Sequence, residues 1–490
     1  MNEMNMAIDI GSNREVFWDD YLVDTEQTDV PAVQKELTRR EAVLTHGEAW
    51  EGDGTLYHTV FKDDNLYRMY YNGNWRFDYV TMQKKDNGCH ICYAESIDGL
   101  TWTKPKLRLH EFQGSFDNNI LFDSSVHFDN FFVFKDTNPD CPPEERYKGV
   151  GSPIWKTAGH EKTLWCYPSP DGIHFAQETA WLMTRKGAFD TLNTFGWYPQ
   201  YGKYIGYVRG FHSPGTDHIV GTDWNAAIRD IRRIESDNFR NWSDPVFLDF
   251  GDAEDYPLYT NQIMPYYRAP QIQIGFPTRY MERREWTPNF DELCGRELRK
   301  ARIEVMEPRE GLTVNDCLFM FSRDTVHWTR RDEAFIRTGP EQPLNWIYGD
   351  AYPAYALYPT PSAIEGADDE MTLLIPDNHK TGRPKVLYRY TIRQDGFMSR
   401  RATYKPQRLV TKPLIFSGSA LRINFSTSAR GYIYVIIRSS DGQEIRSCET
   451  FGDSVNRRVG FAGDLAAFSG QPATLEFLMC DADLYSFKFE

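Results

Sequence analysis

One pattern recurs along this chain and restricts its fold more than any other feature. An apolar strand, a turn and a tyrosine-rich strand are followed by Ser-x-Asp-Gly-x-x-aromatic, at residues 96–102 and 169–175, with a variant at 322–328. Asp-Gly suits a tight hairpin because glycine adopts positive φ without steric cost. Each copy therefore predicts a second pair of antiparallel strands after the first pair.

Five such units are predicted, and each contributes four strands. Four-stranded sheets repeated around a centre are typical of a β-propeller. Ring closure also removes the exposed sheet edges that promote aggregation. A multi-sheet β-sandwich without closure is the alternative interpretation. The first strand pairs of the five units lie at residues 55–73, 131–151, 193–210, 261–280 and 348–377.

The pattern changes near residue 409, where strands with alternating polar and apolar residues begin. This alternation predicts a small β-sandwich. We therefore expect an all-β protein, with a five-bladed β-propeller at 1–408 and a C-terminal β-sandwich domain at 409–490. Two segments depart from the strand pattern: the charged stretch 282–310 predicts a surface helix, and 224–234 predicts a helical turn.

Composition disfavours several classes of partner. With 55 basic and 70 acidic residues the net charge is -15, which disfavours nucleic acid. No apolar run is long enough for a transmembrane helix, so no membrane partner is expected. The first residues lack the basic and apolar segments of a signal peptide, which predicts a cytoplasmic protein. Cys89 and Cys92 form a CxxC without a second pair at zinc-finger spacing, which favours a buried strand.

Carboxylates at the starts of the predicted inner strands are the candidate chemistry. Inner strands of a propeller converge on its axis, and an Asp or Asn precedes each of the five. Cleavage of a glycosidic bond needs one carboxylic acid to protonate the leaving oxygen and one carboxylate as nucleophile or base. A calcium ion at the axis is the alternative, since Asp and Asn oxygens bind hard cations; we expect no cofactor and no metal ligands. The candidate catalytic residues are Asp53, Asp129, Asp190, Asp350 and, as the best glutamate, Glu333.

Other polar and aromatic residues near these positions are candidates for holding a sugar. Arginine can clamp carboxylate or hydroxyl groups, although pairing with surface acids is equally expected. Aromatic rings can stack on sugar faces, and Trp75, Trp197 and Trp346 are considered for this role besides the main set. The main set comprises Trp50, Glu51, His58, Asn193, Arg209, Tyr259, Asn261, Arg268, Arg279 and Tyr348.

Several segments have counterparts in one known family. They are Val16-Phe-Trp-Asp-Asp-Tyr-Leu-Val, Trp50-Glu-Gly, Leu66-Tyr-Arg-Met-Tyr-Tyr, Glu145-Arg-Tyr-Lys, Phe189-Asp-Thr-Leu-Asn, Arg268-Ala-Pro, Gly275-Phe-Pro-Thr-Arg-Tyr, Thr411-Lys-Pro-Leu and Asp481-Ala-Asp-Leu-Tyr-Ser-Phe-Lys-Phe. With them the chain resembles bacterial proteins related to the N-terminal domain of invertase-type glycoside hydrolases. The resemblance spans nearly the whole chain. It implies a five-bladed propeller followed by a β-sandwich, as in the fructosidase and arabinosidase superfamilies.

The resemblance also implies roles for three of the acids. In those superfamilies the first blade supplies a nucleophile or base, the second an acid that stabilises the transition state or tunes a pKa, and the third the general acid. By position these roles fall on Asp53, Asp129 and Asp190. The invertase motifs Asn-Asp-Pro-Asn, Arg-Asp-Pro and Glu-Cys are absent from the corresponding blades.

The sequence therefore predicts a glycoside hydrolase that removes terminal sugars from small oligosaccharides, on a fructoside-like or arabinoside-like substrate among others. A non-catalytic carbohydrate-binding propeller is the alternative, and a propeller whose mouth binds a protein is a third hypothesis. Walker-type loops, His-Glu-x-x-His and Gly-x-Ser-x-Gly are missing, which disfavours phosphoryl transfer, zinc proteolysis and serine hydrolysis. The expected partner is a small oligosaccharide, and the sequence leaves a homo-oligomer open.

Overall fold

Five antiparallel sheets follow one another along the chain, and each has four strand positions. They form the predicted five-bladed β-propeller, whose blades are numbered I to V in chain order. A separate ten-stranded sheet forms the β-sandwich. The computed structural model describes residues 7–73, 76–78, 83–85, 88–126, 128–153, 162–217 and 227–490.

Blades I, II and III are each built from strands that follow one another in sequence. A two-stranded ribbon, Arg76–Asp78 with Gln83–Lys85, is inserted in blade I. Blade I contains Leu56–Asp63, Leu66–Gly73, His90–Ser96 and Ile120–Phe122; blade II contains Phe128–Lys135, Tyr147–Pro153, Leu164–Ser169 and Trp181–Thr184; blade III contains Thr194–Tyr198, Lys203–His212, Ile228–Ser236 and Val246–Phe247.

Blade IV has an interrupted second strand. Ala269–Gly275 and Thr278–Glu282 both pair with Thr313–Ser322, so together they occupy one position in the sheet. Met264–Tyr266 is the first strand and Thr329–Ile336 the fourth. The interruption directs the chain back toward the axis, and three helices follow the second segment.

Blade V closes the ring because its fourth strand comes from the other end of the chain. Tyr358–Thr360, Glu370–Asp377 and Lys385–Arg393 are consecutive, and Thr38–His46 pairs antiparallel with the last of them. This pairing completes blade V with its fourth, outer strand. The first strand of blade I is the next strand along the chain.

Each pair of neighbouring blades shares a buried hydrophobic cluster and at least one hydrogen bond. The clusters supply most of the stabilisation because burial of apolar surface is the dominant favourable contribution to folding. The five hydrogen bonds are Tyr147 Oη to Asp63 (2.6 Å), Asn193 to Asn130 (3.3 Å), Thr194 to Asn261 (2.9 Å), Thr278 to the Ala351 carbonyl (3.0 Å) and the Tyr355 amide to the His58 carbonyl (2.8 Å).

The sandwich is organised by two long strands, Leu421–Ser439 and Ala473–Phe489, which pair along most of their length. A register shift between Thr427 and Tyr432 lets the pair bend across its own hydrophobic core. The other strands are Ile8–Gly11, Glu15–Val16, Ala32–Gln34, Met398–Ala402, Gln407–Val410, Leu414–Phe416, Glu444–Arg446 and Asp453–Arg458.

Four of these strands come from residues that the sequence-based division assigned to the propeller, 1–408. The sheet thus crosses the predicted boundary at residue 408, because the N-terminal segment pairs with the C-terminal one. Ile8–Gly11, for example, runs parallel to Leu414–Phe416.

Three consecutive residues join the propeller to the sandwich. Phe17 packs in the sandwich core, whereas Val16 and Trp18 pack in the cluster between blades IV and V. Trp18 meets the rings of Phe319 and Phe397 at 5.4 and 5.3 Å between centroids. Alternation of side chains in extended backbone explains how one short segment fills two cores.

The inserted segment of blade IV contains three helices, Pro288–Glu292, Arg296–Val305 and Pro308–Leu312, as the charged stretch predicted. Short 3-10 turns occupy Pro143–Glu145 and Leu465–Phe468.

The predicted helical turn at 224–234 is wrong over its described part. Residues 228–236 form the third strand of blade III, with strand partners on both sides. These two sets of backbone hydrogen bonds outweigh local helical preference; residues 218–226 lie outside the described part. Cys89 and Cys92 are buried, and Cys92 lies in a strand of blade I, as favoured above.

Asp395 is a fully buried carboxylate where blades IV and V meet the sandwich. Its oxygens accept hydrogen bonds from Arg268 Nε (2.8 Å), Tyr266 Oη (2.5 Å) and Ser486 Oγ (2.6 Å). Arg14 lies 3.5 Å away. Burial alone would raise the pKa of Asp395, but the two arginines and these hydrogen bonds lower it below its ordinary value.

We predict that Asp395→Asn destabilises the protein by about 3–5 kcal/mol, because it leaves two mostly buried arginines without their fully buried carboxylate. Urea unfolding measures this change. Asp453→Asn is the matched control: this exposed acid pairs with Arg393 at the same junction, and its loss should cost at most about 1 kcal/mol. Equal effects of the two substitutions would contradict a structural role for the buried cluster.

Candidate active site

The starts of the inner strands form one mouth of the propeller, and their backbone is strained. Tyr57, Phe189, Gln262 and Ala351 all have positive φ, between 41° and 59°, although none is glycine. Each such residue costs about 1–3 kcal/mol, and such strain concentrates at functional sites. The same feature at the entry of four blades marks this end as the candidate site.

Tyrosines from three blades meet at the mouth. Tyr259 and Tyr280 of blade IV pack with Tyr348 and Tyr352, which precede blade V, and Tyr57 of blade I packs against this cluster. The Tyr348 hydroxyl donates to the Tyr259 hydroxyl at 3.3 Å. This set, the tyrosine cluster, gives the mouth aromatic faces and hydroxyl groups, which suit a polyhydroxylated ligand.

Arg209 of blade III lies beside the tyrosine cluster. Its guanidinium carbon is 4.7 Å from the centre of the Tyr259 ring. It donates to the Asp190 carbonyl and lies 3.5 Å from the Asp190 carboxylate. Burial lowers the pKa of Arg209, but Asp190, Tyr259 and Tyr57 together raise it above its ordinary value. Asp190 itself is 38% exposed, so it stands at the rim of the mouth.

Behind the mouth, blade I holds a buried polar chain. Glu51, which is fully buried, accepts hydrogen bonds from Tyr71 (2.6 Å) and Lys104 (2.8 Å) and from His46 Nδ1 (3.3 Å). His46 Nε2 lies 2.9 Å from His58 Nε2. Burial alone would raise the pKa of Glu51, but the bonds from His46 and Lys104 lower it to about 2.

Asp53 is held by a strained loop of blade V. Its side chain is 3% exposed and accepts the Gly382 amide at 2.6 Å, and its carbonyl accepts the Lys380 amide at 2.9 Å. Asn378, Lys380 and Gly382 all have positive φ, so every second residue of the loop is left-handed. The Lys380 and Gly382 amides of this loop therefore reach two different groups of Asp53, its backbone carbonyl and its carboxylate.

Asp350, in the segment before blade V, is also buried. Its carboxylate accepts the Ile347 amide at 2.8 Å, and burial raises its pKa to about 7. Lys385 interacts electrostatically with both Asp350 and Asp53. The two carboxylates raise the pKa of Lys385, but burial has the larger effect and lowers this pKa well below its ordinary value. Lys385 is also the cross-strand partner of His46, so ring closure joins the two halves of the site.

The helix Arg296–Val305 covers the loop that carries Tyr348 and Asp350. Arg299, fully buried, donates to the Trp346 carbonyl at 2.7 Å. Arg302, also fully buried, donates to the Tyr348 carbonyl and to Glu310, both at 3.1 Å. Glu310 in turn pairs with Lys380 at 2.7 Å. The inserted helices therefore fix both the Asp350 loop and the loop that holds Asp53.

We predict that Arg302→Ala loosens this loop, because it removes a hydrogen-bond donor to the Tyr348 carbonyl and one partner of the buried Glu310. Hydrogen–deuterium exchange should accelerate in residues 345–350, and unfolding should cost about 3–5 kcal/mol less free energy. Arg296→Ala on the exposed side of the same helix is the control, with an effect within about 0.5 kcal/mol. Unchanged exchange in the Arg302 variant would contradict a positioning role for the helix.

The structure brings most of the sequence-predicted residues to this end of the ring. Asn193 and Asn261 link blades II, III and IV, and both are buried. The residues gathered at or directly behind the mouth are Asp53, Asp190, Asp350, Glu51, His58, Asn193, Arg209, Tyr259, Asn261 and Tyr348. Their chemical roles remain predictions.

Four predicted residues lie elsewhere. Arg268 is at the far end of blade IV and is committed to Asp395. Arg279 forms a two-point pair with Asp316. Glu333 is exposed on the outermost strand of blade IV, away from the axis. Trp50 packs inside blade I on Phe112 and donates to Asn119 at 2.7 Å.

The sequence analysis expected these four side chains at the mouth. Burial and strand direction decide which face a side chain occupies, and they place these four elsewhere. Trp197 packs on Tyr204 within blade III, and Trp346 bonds to the Gly339 carbonyl at 2.9 Å. The side chain of Asp129 and residue Trp75 lie outside the described part of the structure.

Sequence analysis missed His46, Lys385, Arg302 and also His379, whose Nδ1 lies 2.9 Å from Lys385 Nζ. His46 ends the strand just before Trp50-Glu-Gly, which was a usable signal. The charged stretch predicts a surface helix, yet Arg299 and Arg302, three positions apart, are both fully buried. No local pattern distinguishes such a buried face from an exposed one.

Within the described ranges no group of three or more His, Cys, Asp or Glu side chains could hold a metal ion. No helix in those ranges is long and apolar enough to cross a membrane.

No family model and no curated protein sequence matches the chain. Solved structures that resemble it include a glycoside hydrolase family 43 arabinoxylan arabinofuranohydrolase from Bacillus subtilis, at 10% identity and a TM-score of 0.37, over 89% of this chain and 96% of the other. The GH32 β-fructofuranosidase of Bombyx mori matches at 8% identity and a TM-score of 0.40, over 92% and 94%. An N-acetylgalactosamine deacetylase from F. plautii matches at 11% and 0.39, over 78% and 96%.

Glycoside hydrolases of the propeller type are thus among the structural neighbours, and so is an enzyme of another activity. With TM-scores below 0.5, the fold assignment rests on the strand pairing described above, and the function must be argued from the site.

Proposed function

We propose that this protein is a glycoside hydrolase that removes terminal sugars from small oligosaccharides, with Asp350 as the general acid and Asp53 as the nucleophile or base. The observation that carries the proposal is a pair of buried carboxylates, Asp53 and Asp350, which both attract the buried ammonium group of Lys385. Glycosidic cleavage needs one carboxyl group that keeps a proton and one that does not. Different environments for the two groups achieve this.

The environment of Asp350 suits an acid. Burial raises its pKa to about 7, so Asp350 is protonated in a large fraction of the molecules near neutral pH. Asp53 accepts the Gly382 amide at 2.6 Å, and a hydrogen bond to the charged form suits a carboxylate acting as base or nucleophile. This assignment differs from the roles implied by family resemblance, which placed the acid on Asp190. The exposed, arginine-paired Asp190 suits a role in holding the sugar.

The surroundings support a sugar as the ligand. The tyrosine cluster offers ring faces for the apolar side of a sugar ring and hydroxyls for its polar edge. Hydroxyl, amide and carboxylate groups around it match the alternating donors and acceptors of a carbohydrate. We infer no cofactor, and the small-oligosaccharide substrate is part of the proposal.

We predict that Asp53→Asn and Asp350→Asn each lower kcat/KM by about 10²–10⁴-fold on alkyl glycosides, because each removes a proton-transfer or nucleophilic group. On 2,4-dinitrophenyl glycosides, whose leaving group needs no protonation, Asp350→Asn should lose far less and Asp53→Asn just as much. Glu333→Gln, on the outer strand, is the control and should match the unsubstituted protein. If both aspartate variants keep full activity while folded, the mouth is not the active site.

The pH dependence gives a separate test. Since the acid must be protonated, kcat/KM should fall as pH rises through about 7, and by about 100-fold two pH units above that value. On 2,4-dinitrophenyl glycosides, whose leaving group needs no protonation, the alkaline decline of the unsubstituted protein should be much weaker, and Asp350→Asn should remove what is left of it. A flat profile from pH 6 to 9 in the unsubstituted protein would remove Asp350 from the acid role.

The non-catalytic alternative makes a different prediction from the same proteins. A carbohydrate-binding propeller would bind oligosaccharides saturably and release them unchanged, and the two aspartate substitutions would change affinity alone. Product analysis by chromatography after overnight incubation separates the two functions.

A further inference from the structure

Two arginines from neighbouring strands of blade III enter the cleft between blades III and IV at the mouth. Arg209 lies on Lys203–His212, and Arg229 on Ile228–Ser236. The guanidinium carbons of Arg209 and Arg229 lie 4.5 and 5.7 Å from the centre of the Phe211 ring. From the centre of the Tyr259 ring they lie 4.7 and 5.6 Å. Both cations therefore stand against the same two aromatic rings.

The two arginines in this cleft differ in their acidic partners. Arg209 has the Asp190 carboxylate at 3.5 Å. In the described part of the chain, Arg229 forms no ion pair within 4 Å, and the next residue, Asp230, is taken up by Arg232 and His212.

The hydrogen-bonding capacity of the two arginines is also unfilled. The Nε groups of Arg209 and Arg229 are both buried and have no acceptor among the described residues. Buried donors of this kind nearly always have a partner in a complete assembly. The Tyr280 ring covers one face of the Arg229 guanidinium, with 4.1 Å between guanidinium carbon and ring centre. Stacking holds the guanidinium plane in place and leaves its edge for an acceptor.

We propose that the sugar bound at the mouth carries a carboxylate, that is, a uronic acid, and that Arg229, with Arg209 beside it, binds this group. The inference rests on the proposed function, since it names the substrate class of the same site. A planar carboxylate can accept two parallel N–H bonds from a guanidinium, and such charge-assisted bonds are stronger than those of neutral hydroxyls. The rings of Tyr259 and Tyr280 lie where they can contact the sugar face.

The experiment compares matched pairs of 4-nitrophenyl glycosides: glucuronide with glucoside, and galacturonide with galactoside, in both anomers. For at least one pair, kcat/KM should favour the uronide by tenfold or more. Arg229→Gln should reduce that uronide-to-neutral ratio by about 10–100-fold, mainly through KM, because it removes the charge but keeps an amide donor. Arg229→Lys should restore part of the ratio.

Arg240→Gln is the matched control. The Arg240 guanidinium also stacks on an aromatic ring, with 3.4 Å between its carbon and the centre of the Trp181 ring. Arg240 lies in the hairpin between the third and fourth strands of blade III, at the opposite end of the blade from the mouth. Its loss should therefore leave the uronide-to-neutral ratio unchanged. A preference for neutral glycosides in every pair, or a ratio that Arg229→Gln does not change, overturns the inference while leaving the hydrolase proposal intact.

Calorimetric titration of the Asp53→Asn variant with galacturonate, glucuronate and their neutral counterparts separates binding from catalysis. Arg229-dependent binding of a uronate without turnover of any glycoside supports the inference and removes the hydrolase proposal. Absence of uronate binding at millimolar concentrations, with a neutral sugar bound, overturns the inference independently of activity.

Discussion

The pairing of Thr38–His46 with Lys385–Arg393 is the contact on which the rest of the molecule depends. It joins residues more than 300 positions apart, and it turns five consecutive sheets into a closed ring. Without this pairing blade V would lack its outer strand, and Lys385–Arg393 would be left as an open sheet edge. The same pairing sets Lys385 opposite His46, so the polar chain behind blade I and the loop that holds Asp53 become parts of one site.

Closure also explains why so many charged groups are buried at one end of the ring. Blades converge there, and groups drawn from distant segments lose their water together. Burial raises the pKa of Asp350 to about 7, whereas Glu51, equally buried, is held at about 2 by His46 and Lys104. Two carboxylates thus reach opposite protonation behaviour from the number and charge of their neighbours. The inserted helices add to this by covering the Asp350 loop with Arg299 and Arg302.

Much of the fold was predictable because it is repetitive. Each copy of the strand pair and of Ser-x-Asp-Gly encodes its own sheet, and an Asp or Asn before each predicted inner strand marks the end of the ring where the candidate site lies. Arg268, Glu333 and Trp50 were misplaced because residue type does not specify which face of a strand a side chain occupies or what it meets across an interface. The N-terminal strands of the sandwich were missed for a similar reason: pairing over hundreds of residues leaves no local pattern.

The sequence by itself determined the five-fold strand repeat, the sandwich texture after residue 409 and the presence of Asp53, Asp190 and Asp350 at corresponding positions. These are local properties of turns and alternating strands. Only the tertiary structure decided that burial raises the pKa of Asp350 to about 7 and that Lys385 interacts electrostatically with both Asp53 and Asp350. It also decided that Arg229 lies at the mouth without a carboxylate partner among the described residues. Those properties depend on desolvation and on charges from segments far apart in the chain, which meet only when the ring closes.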